Sequence, residues 1–197
     1  MTESSGTGAW LLVSVSTSGA ANTLRVQVWR KLKSLGALYV QQSVCLLPDR
    51  EPVRTQIRRL AGRVREQGGH ARVLTIRFDD PAEEQGVIGE FNTARDGEYA
   101  ELRERIPALH TELEHELARG NTTYAEVEES EADLDRFRAW LAKIAARDYF
   151  DAPGAAPARE AVEGAAQALA RFEQAALHAD TTAPVVDRAG LRIVGQS

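Results

Sequence analysis

Cysteine is almost absent. Cys45 stands alone among 197 residues, so no internal disulfide can form and the reducing cytoplasm is the expected home. One cysteine and four scattered histidines (His70, His110, His115, His178) give no CxxC, HExxH or HxxxH spacing, and no metal site is expected. Long apolar runs are missing too. The longest, Ala9 to Val13, falls far short of the roughly 20 residues that span a bilayer, and no basic stretch precedes it as in an export signal. Neither a membrane span nor a leader is expected. Walker A, GxGxxG and GxSxG motifs are also lacking, which argues against nucleotide, dinucleotide and serine-hydrolase chemistry. The expectation is a protein without catalysis and without a cofactor. Aromatic residues make up only 6% of the chain, against 43% hydrophobic and 27% charged residues, a globular composition tilted toward helix.

What is present is a strong separation of charge. Residues 1–80 hold twelve Lys and Arg against six acids, a net of +6, while the remainder holds twelve against 23, a net of −11. Only the first part has the electrostatics to attract a polyanion.

Trp10 to Ser16 reads as a buried central strand. Asn22 is a fitting N-cap for a helix with Leu24, Val28, Leu32 and Leu35 on one face, closed by Gly36. Ala37–Val40 and Val44–Leu47 flank a turn at 41–43 and predict a hairpin. A second helix over about 50–67 turns Val53, Ile57, Leu60 and Val64 inward, and Gly68-Gly69 ends it. Ala71 to Phe78 alternates as a fourth strand. This order is the split βαβ pattern of a ferredoxin-like βαββαβ domain, an antiparallel sheet with both helices on one face. The fold class predicted is therefore α+β, with a ferredoxin-like domain over 9–80, a helical domain over 81–179 and a flexible tail over 180–197.

From Pro81 onward the apolar period changes to helical. Val87, Phe91, Tyr99, Leu102, Ile106, Leu109, Leu113 and Leu117 form one seam, expected to be interrupted near Asp96-Gly97 and kinked at Pro107. Arg119-Gly120-Asn121 punctuates it, and Thr123 with Glu126 forms a capping box, predicting an antiparallel helical hairpin. A further alanine-rich helix covers about 157–179. The acids Glu126, Glu128, Glu129, Glu131, Asp133 and Asp135 point around the whole second helix, so they form a solvated face. Glu128 and Glu131 are the two that could meet Arg95 or Arg147.

Several stretches together carry a resemblance: Arg25–Gly36 (RVQVWRKLKSLG), Gln42–Asp49 (QSVCLLPD), Ala118–Tyr124 (ARGNTTY), Glu126–Leu134 (EVEESEADL) and Trp140–Phe150 (WLAKIAARDYF). In these the chain resembles the N-terminal domain of the chromate-resistance regulator ChrB. The resemblance implies a bacterial cytoplasmic protein that helps control chromate-efflux genes through operator DNA. Members of that family usually continue into a further C-terminal domain, and chromate sensing, if it belongs to that domain, does not carry over to this chain. At fold level the first 80 residues are also similar to CRISPR-associated Cas2 proteins and PaaX-type repressors. The metal-holding acid that Cas2-like nucleases place after the first strand is replaced here by Ser14-Val15-Ser16-Thr17-Ser18.

Two sets of site residues follow. Arg25, Arg30, Lys31, Lys33, Arg54 and Arg58 are the candidates for DNA phosphate contacts. Arg95, Tyr99, Arg119, Asn121 and Arg147 are the candidates for an oxyanion pocket, for chromate or sulfate, between the two domains. The expected partners are DNA and a second copy of the chain. An exposed stripe of arginines would favour DNA, and a convergent, buried cluster an anion.

Overall fold

The computed structural model describes residues 8–18, 22–120 and 123–182. Asn121 and the segment after residue 182, which holds most of the expected tail, lie outside the described residues.

The elements in chain order are β1 (Trp10–Ser16), α1 (Asn22–Ser34), β2 (Leu38–Gln41), β3 (Val44–Pro48), α2 (Glu51–Glu66), β4 (His70–Ile76), α3 (Pro81–Arg119), α4 (Tyr124–Ala145) and α5 (Ala155–Thr182). The four strands form one antiparallel sheet in the order β2-β3-β1-β4, as the ferredoxin-like pattern predicts. Cys45 lies opposite Val13 in β1 and Tyr39 in β2. Because side chains alternate along a strand, Leu11 and Val13 share one face of β1. They join Leu24, Val28 and Leu32 of α1, Leu47 of β3, and Val53, Ile57, Leu60 and Val64 of α2 in one buried core. Each such side chain contributes roughly 1.5–3 kcal/mol on leaving water. These are the apolar positions that helical and strand spacing single out.

Trp10 points to the other face of β1 and has its own surroundings. Phe78, Phe91 and Phe150 lie with ring centroids 5.4–5.8 Å from it, and its indole N–H donates to the buried Glu84 carboxylate at 2.7 Å. Burying that carboxylate is tolerable because it accepts this bond.

The described residues group into two compact units, one within 1–101 and 140–158 and one within 102–139 and 159–182. The described residues thus place the first part of α3 and the end of α4 with the sheet, rather than with a purely helical domain. In the second unit, Leu102, Ile106, Leu109 and Leu113 of α3, Leu134 of α4, and Val162, Ala165, Leu169 and Phe172 of α5 are buried at three- and four-residue spacings. The interruption expected at Asp96-Gly97 does not occur, and α3 runs through both it and Pro107 as one 39-residue helix. The roughly 1 kcal/mol that an internal glycine costs is outweighed by Phe91 and Tyr99, buried on either side. No helix among the described residues is long and apolar enough to cross a membrane.

Candidate functional site

α2 is a helix of two chemistries. Its apolar face is spent in the core, so Arg58, Arg59, Arg63 and Arg65 are left exposed. Arg59 and Arg63, one turn apart, line a groove of about 320 Å³ between α1 and α2, opposite Gln27 and Lys31 of α1. Lys31 donates to Gln56 across that groove. Neither Arg59 nor Arg63 was singled out by sequence reasoning. The signal was present: Arg59 falls three residues after Gln56 and Arg63 three after Leu60, at the margin of the apolar face.

The six candidate phosphate contacts do not share one surface role. Lys31 lines the groove, and Arg30 and Arg58 are exposed without an ion pair. Lys33 sits over the Trp29 ring at 5.3 Å. Arg25 lies on the opposite flank of α1, where its Nε reaches Thr17 Oγ1 at 3.4 Å. Arg54 is already engaged. Its Nε and Nη2 donate to the two oxygens of Asp49 at 2.6 and 2.7 Å, a bidentate pair to a carboxylate with no exposed side-chain surface. That hydrogen bond holds the Asp49 carboxyl below the usual carboxylate range, against the opposing effect of burial.

A second constellation is convergent, with Arg95 and Tyr99 buried and its other members half-buried. α3 presents Arg95, Glu98 and Tyr99, and the turn after α4 presents Arg147, Asp148 and Tyr149. Arg147 donates from Nη2 and Nε to Glu98 Oε2 at 2.8 and 3.2 Å, and Arg95 Nη2 lies 3.4 Å from Glu98 Oε1. One carboxylate therefore serves two guanidiniums. The Tyr99 hydroxyl donates to Asp148 at 3.1 Å, and Asp148 also accepts the Ala152 N–H. Burial lowers the Arg95 pKa, Glu98 counters that, and the like charge of Arg147 adds to it. Arg95 is 7% exposed, and its Nε and Nη1 have no hydrogen-bond partner among the described residues.

Gly36 makes this close approach possible. A Cβ there would lie 2.6 Å from Arg95 Nη1 and 3.1 Å from Arg147 Cβ. Nearby, the Tyr149 hydroxyl donates to the Leu35 carbonyl at 2.7 Å, and Arg50 donates to the Tyr149 carbonyl while lying over its ring at 5.2 Å.

Of the candidate oxyanion ligands, Arg95, Tyr99 and Arg147 come together here. Arg119 belongs to the other unit, where it is exposed and paired with Glu116 at 3.3 Å. Asn121 lies outside the described residues. The carboxylate that meets Arg95 and Arg147 is Glu98, whereas Glu128 and Glu131 are exposed. Glu98 was discoverable from its three-residue spacing to Arg95.

The family model described as Protein ChrB, N-terminal, matches residues 25–182. The chain belongs to the ChrB N-terminal family. That match takes in α1 from Arg25 onward, all of α2 and the Arg95–Glu98–Arg147 cluster. Protein ChrB of Cupriavidus metallidurans is 30% identical over 105 residues, which cover 53% of this chain and 32% of that protein. The chain thus matches about a third of the length of this curated relative.

Proposed function

We propose that this ChrB-family chain is a DNA-associated regulatory module acting in chromate resistance in the cytoplasm, as a homodimer and without catalysis of its own. The observation that carries the reading is the set of cations along α2 and its groove with α1, where Arg58, Arg59 and Arg63 are exposed and Lys31 is half-buried. Lys31, Arg58, Arg59 and Arg63 have no carboxylate within ion-pair distance among the described residues. Free guanidiniums at a helix pair that carries no acid in its groove suit the phosphates of a duplex, which fix register and supply most of the salt-dependent affinity. The test is binding to the DNA upstream of the chain's own gene across a salt series. Changing these four residues to Ala is expected to flatten the slope of log K against log salt by roughly 3 to 4 units. Equal slopes for parent and variant would refute the assignment.

The two unpartnered donors of Arg95 favour a second reading, in which the Arg95–Arg147 cluster takes a small oxyanion such as chromate or sulfate. Under it, sulfate raises the melting temperature of the parent, and Arg147→Lys, which cannot reproduce a bidentate fork, loses that shift. A parent that melts identically with and without either oxyanion removes this reading and leaves the first intact.

A further inference from the structure

One cavity belongs to neither constellation. It measures about 620 Å³ and lies on the flank of α1 away from α2, between that helix and strands β1, β2 and β3. Its floor is core: Val15, Val28, Leu32 and Cys45. Its walls are the aromatic rings of Trp29 and Tyr39, and its rim carries Arg25 with the hydroxyls of Ser16, Thr17 and Ser43.

Three observations bear on what it takes. The first is unspent apolar surface. Trp29 is 51% exposed, Val26 43% and Tyr39 40%, and all three line this one concavity. Leaving such rings in water forgoes stabilisation that the core shows this sequence capable of gaining. The second is charge. Arg25 is the only ionic residue lining the cavity, no Asp or Glu does, and its one bond is the long contact to Thr17. Cys45 adds no negative charge, because burial pushes its thiol up to about 12. The third is shape. The volume falls within the roughly 300–1,000 Å³ of small-molecule sites, and an apolar lining with a few polar groups at one end is the usual chemistry of such sites. Lys33 lies over the Trp29 ring at 5.3 Å.

We propose that this cavity binds a small amphiphilic anion, with a flat aromatic body between Trp29 and Tyr39 and an acidic group on Arg25 and the rim hydroxyls. A neutral aromatic would leave Arg25 without a counter-charge, and a bare oxyanion would leave the aromatic walls in water. A bidentate guanidinium–carboxylate contact meets the first requirement and ring stacking the second.

The probe is 2-naphthoate, with 2-naphthamide as its uncharged counterpart, titrated calorimetrically into the whole chain. Naphthoate is expected to bind saturably at one site and at least tenfold more tightly than the amide. Arg25→Gln should remove that tenfold preference, and Trp29→Ala should weaken both compounds. Both residues are exposed, and each variant is compared with the parent by its melting curve. The comparison of acid with amide in the parent needs no variant at all. Absence of saturable binding, equal affinity for acid and amide in the parent, or undiminished preference in Arg25→Gln would each overturn the proposal.

Discussion

Gly36 and Gly120 share a left-handed backbone, with φ of +67° and +68°, but not their surroundings. Among the described residues nothing lies within 4 Å of a Cβ at Gly120, whereas at Gly36 Arg95 and Arg147 press close. Alanine at either position meets the roughly 1–2 kcal/mol penalty of that conformation. Gly36→Ala is expected to lose clearly more than Gly120→Ala in urea melts, because Arg95 must also leave Glu98. Equal losses would mean that the guanidinium yields freely. Asp49 offers a test in pH. Its carboxyl is held low by Arg54, so its contribution is complete above the unfolded value near 3.9 and is lost as pH falls through the lower native value. Asp49→Asn should therefore flatten the acid limb of stability below about pH 4. At neutral pH its cost should be less than the roughly 3–5 kcal/mol of a fully buried pair, because Arg54 is 34% exposed. Denaturation at pH 7 and pH 3 checks both statements. At this scale the core was legible in the sequence and the cluster only half so. Leu24, Val28 and Leu32 declare themselves by spacing, but the meeting of Glu98 with Arg147 depends on residues 49 apart coming together, which no local pattern encodes.

Among the elements, β1 pairs on both sides while β2 has four residues, one neighbour and a register shift between Tyr39 and Gln41. Amide exchange is expected to be slowest at Leu11 to Val13 and fastest within the sheet at Tyr39 and Val40. Protection of β2 equal to that of β1 would contradict the strand order. At the start of α4, the Thr123 hydroxyl accepts the Glu126 N–H at 3.4 Å, as the capping box predicts. Thr123→Ala should cost about 1 kcal/mol by thermal unfolding, and no loss would show the cap to be idle. Turns, caps and periodic faces were readable because their causes lie within a few residues. The continuity of α3 was not, because Asp96 and Gly97 are poor helix residues whose neighbours Phe91, Arg95 and Tyr99 are fixed by packing. Asp96 even accepts the Gly154 N–H at 2.6 Å, so the residue expected to break the helix ties down the segment before α5.

For the whole molecule, the boundary that composition suggests at residue 80 and the grouping of contacts are different divisions, because charge is set by surface and grouping by burial. The unit holding the sheet is discontinuous, taking up residues 140–158 after an excursion of 38 residues. Fragment 1–80 is therefore expected to leave Trp10, 2% exposed in the whole chain, without Phe91, Phe150 and Glu84. With Trp29→Phe and Trp140→Phe in the whole chain, and Trp29→Phe in the fragment, Trp10 emission should shift to the red on truncation. Unchanged emission would show that the sheet covers this ring by itself. The same discontinuity sets an order of events during synthesis. The last strand residue, Ile76, leaves the ribosome 74 residues ahead of Phe150. At roughly 5–20 residues per second, the nascent sheet waits on the order of 4–15 s with one apolar face open. Over that interval Trp10 lacks Phe91 and Phe150, and fast translation of the segment between would shorten the time in which it can meet another molecule's Trp10.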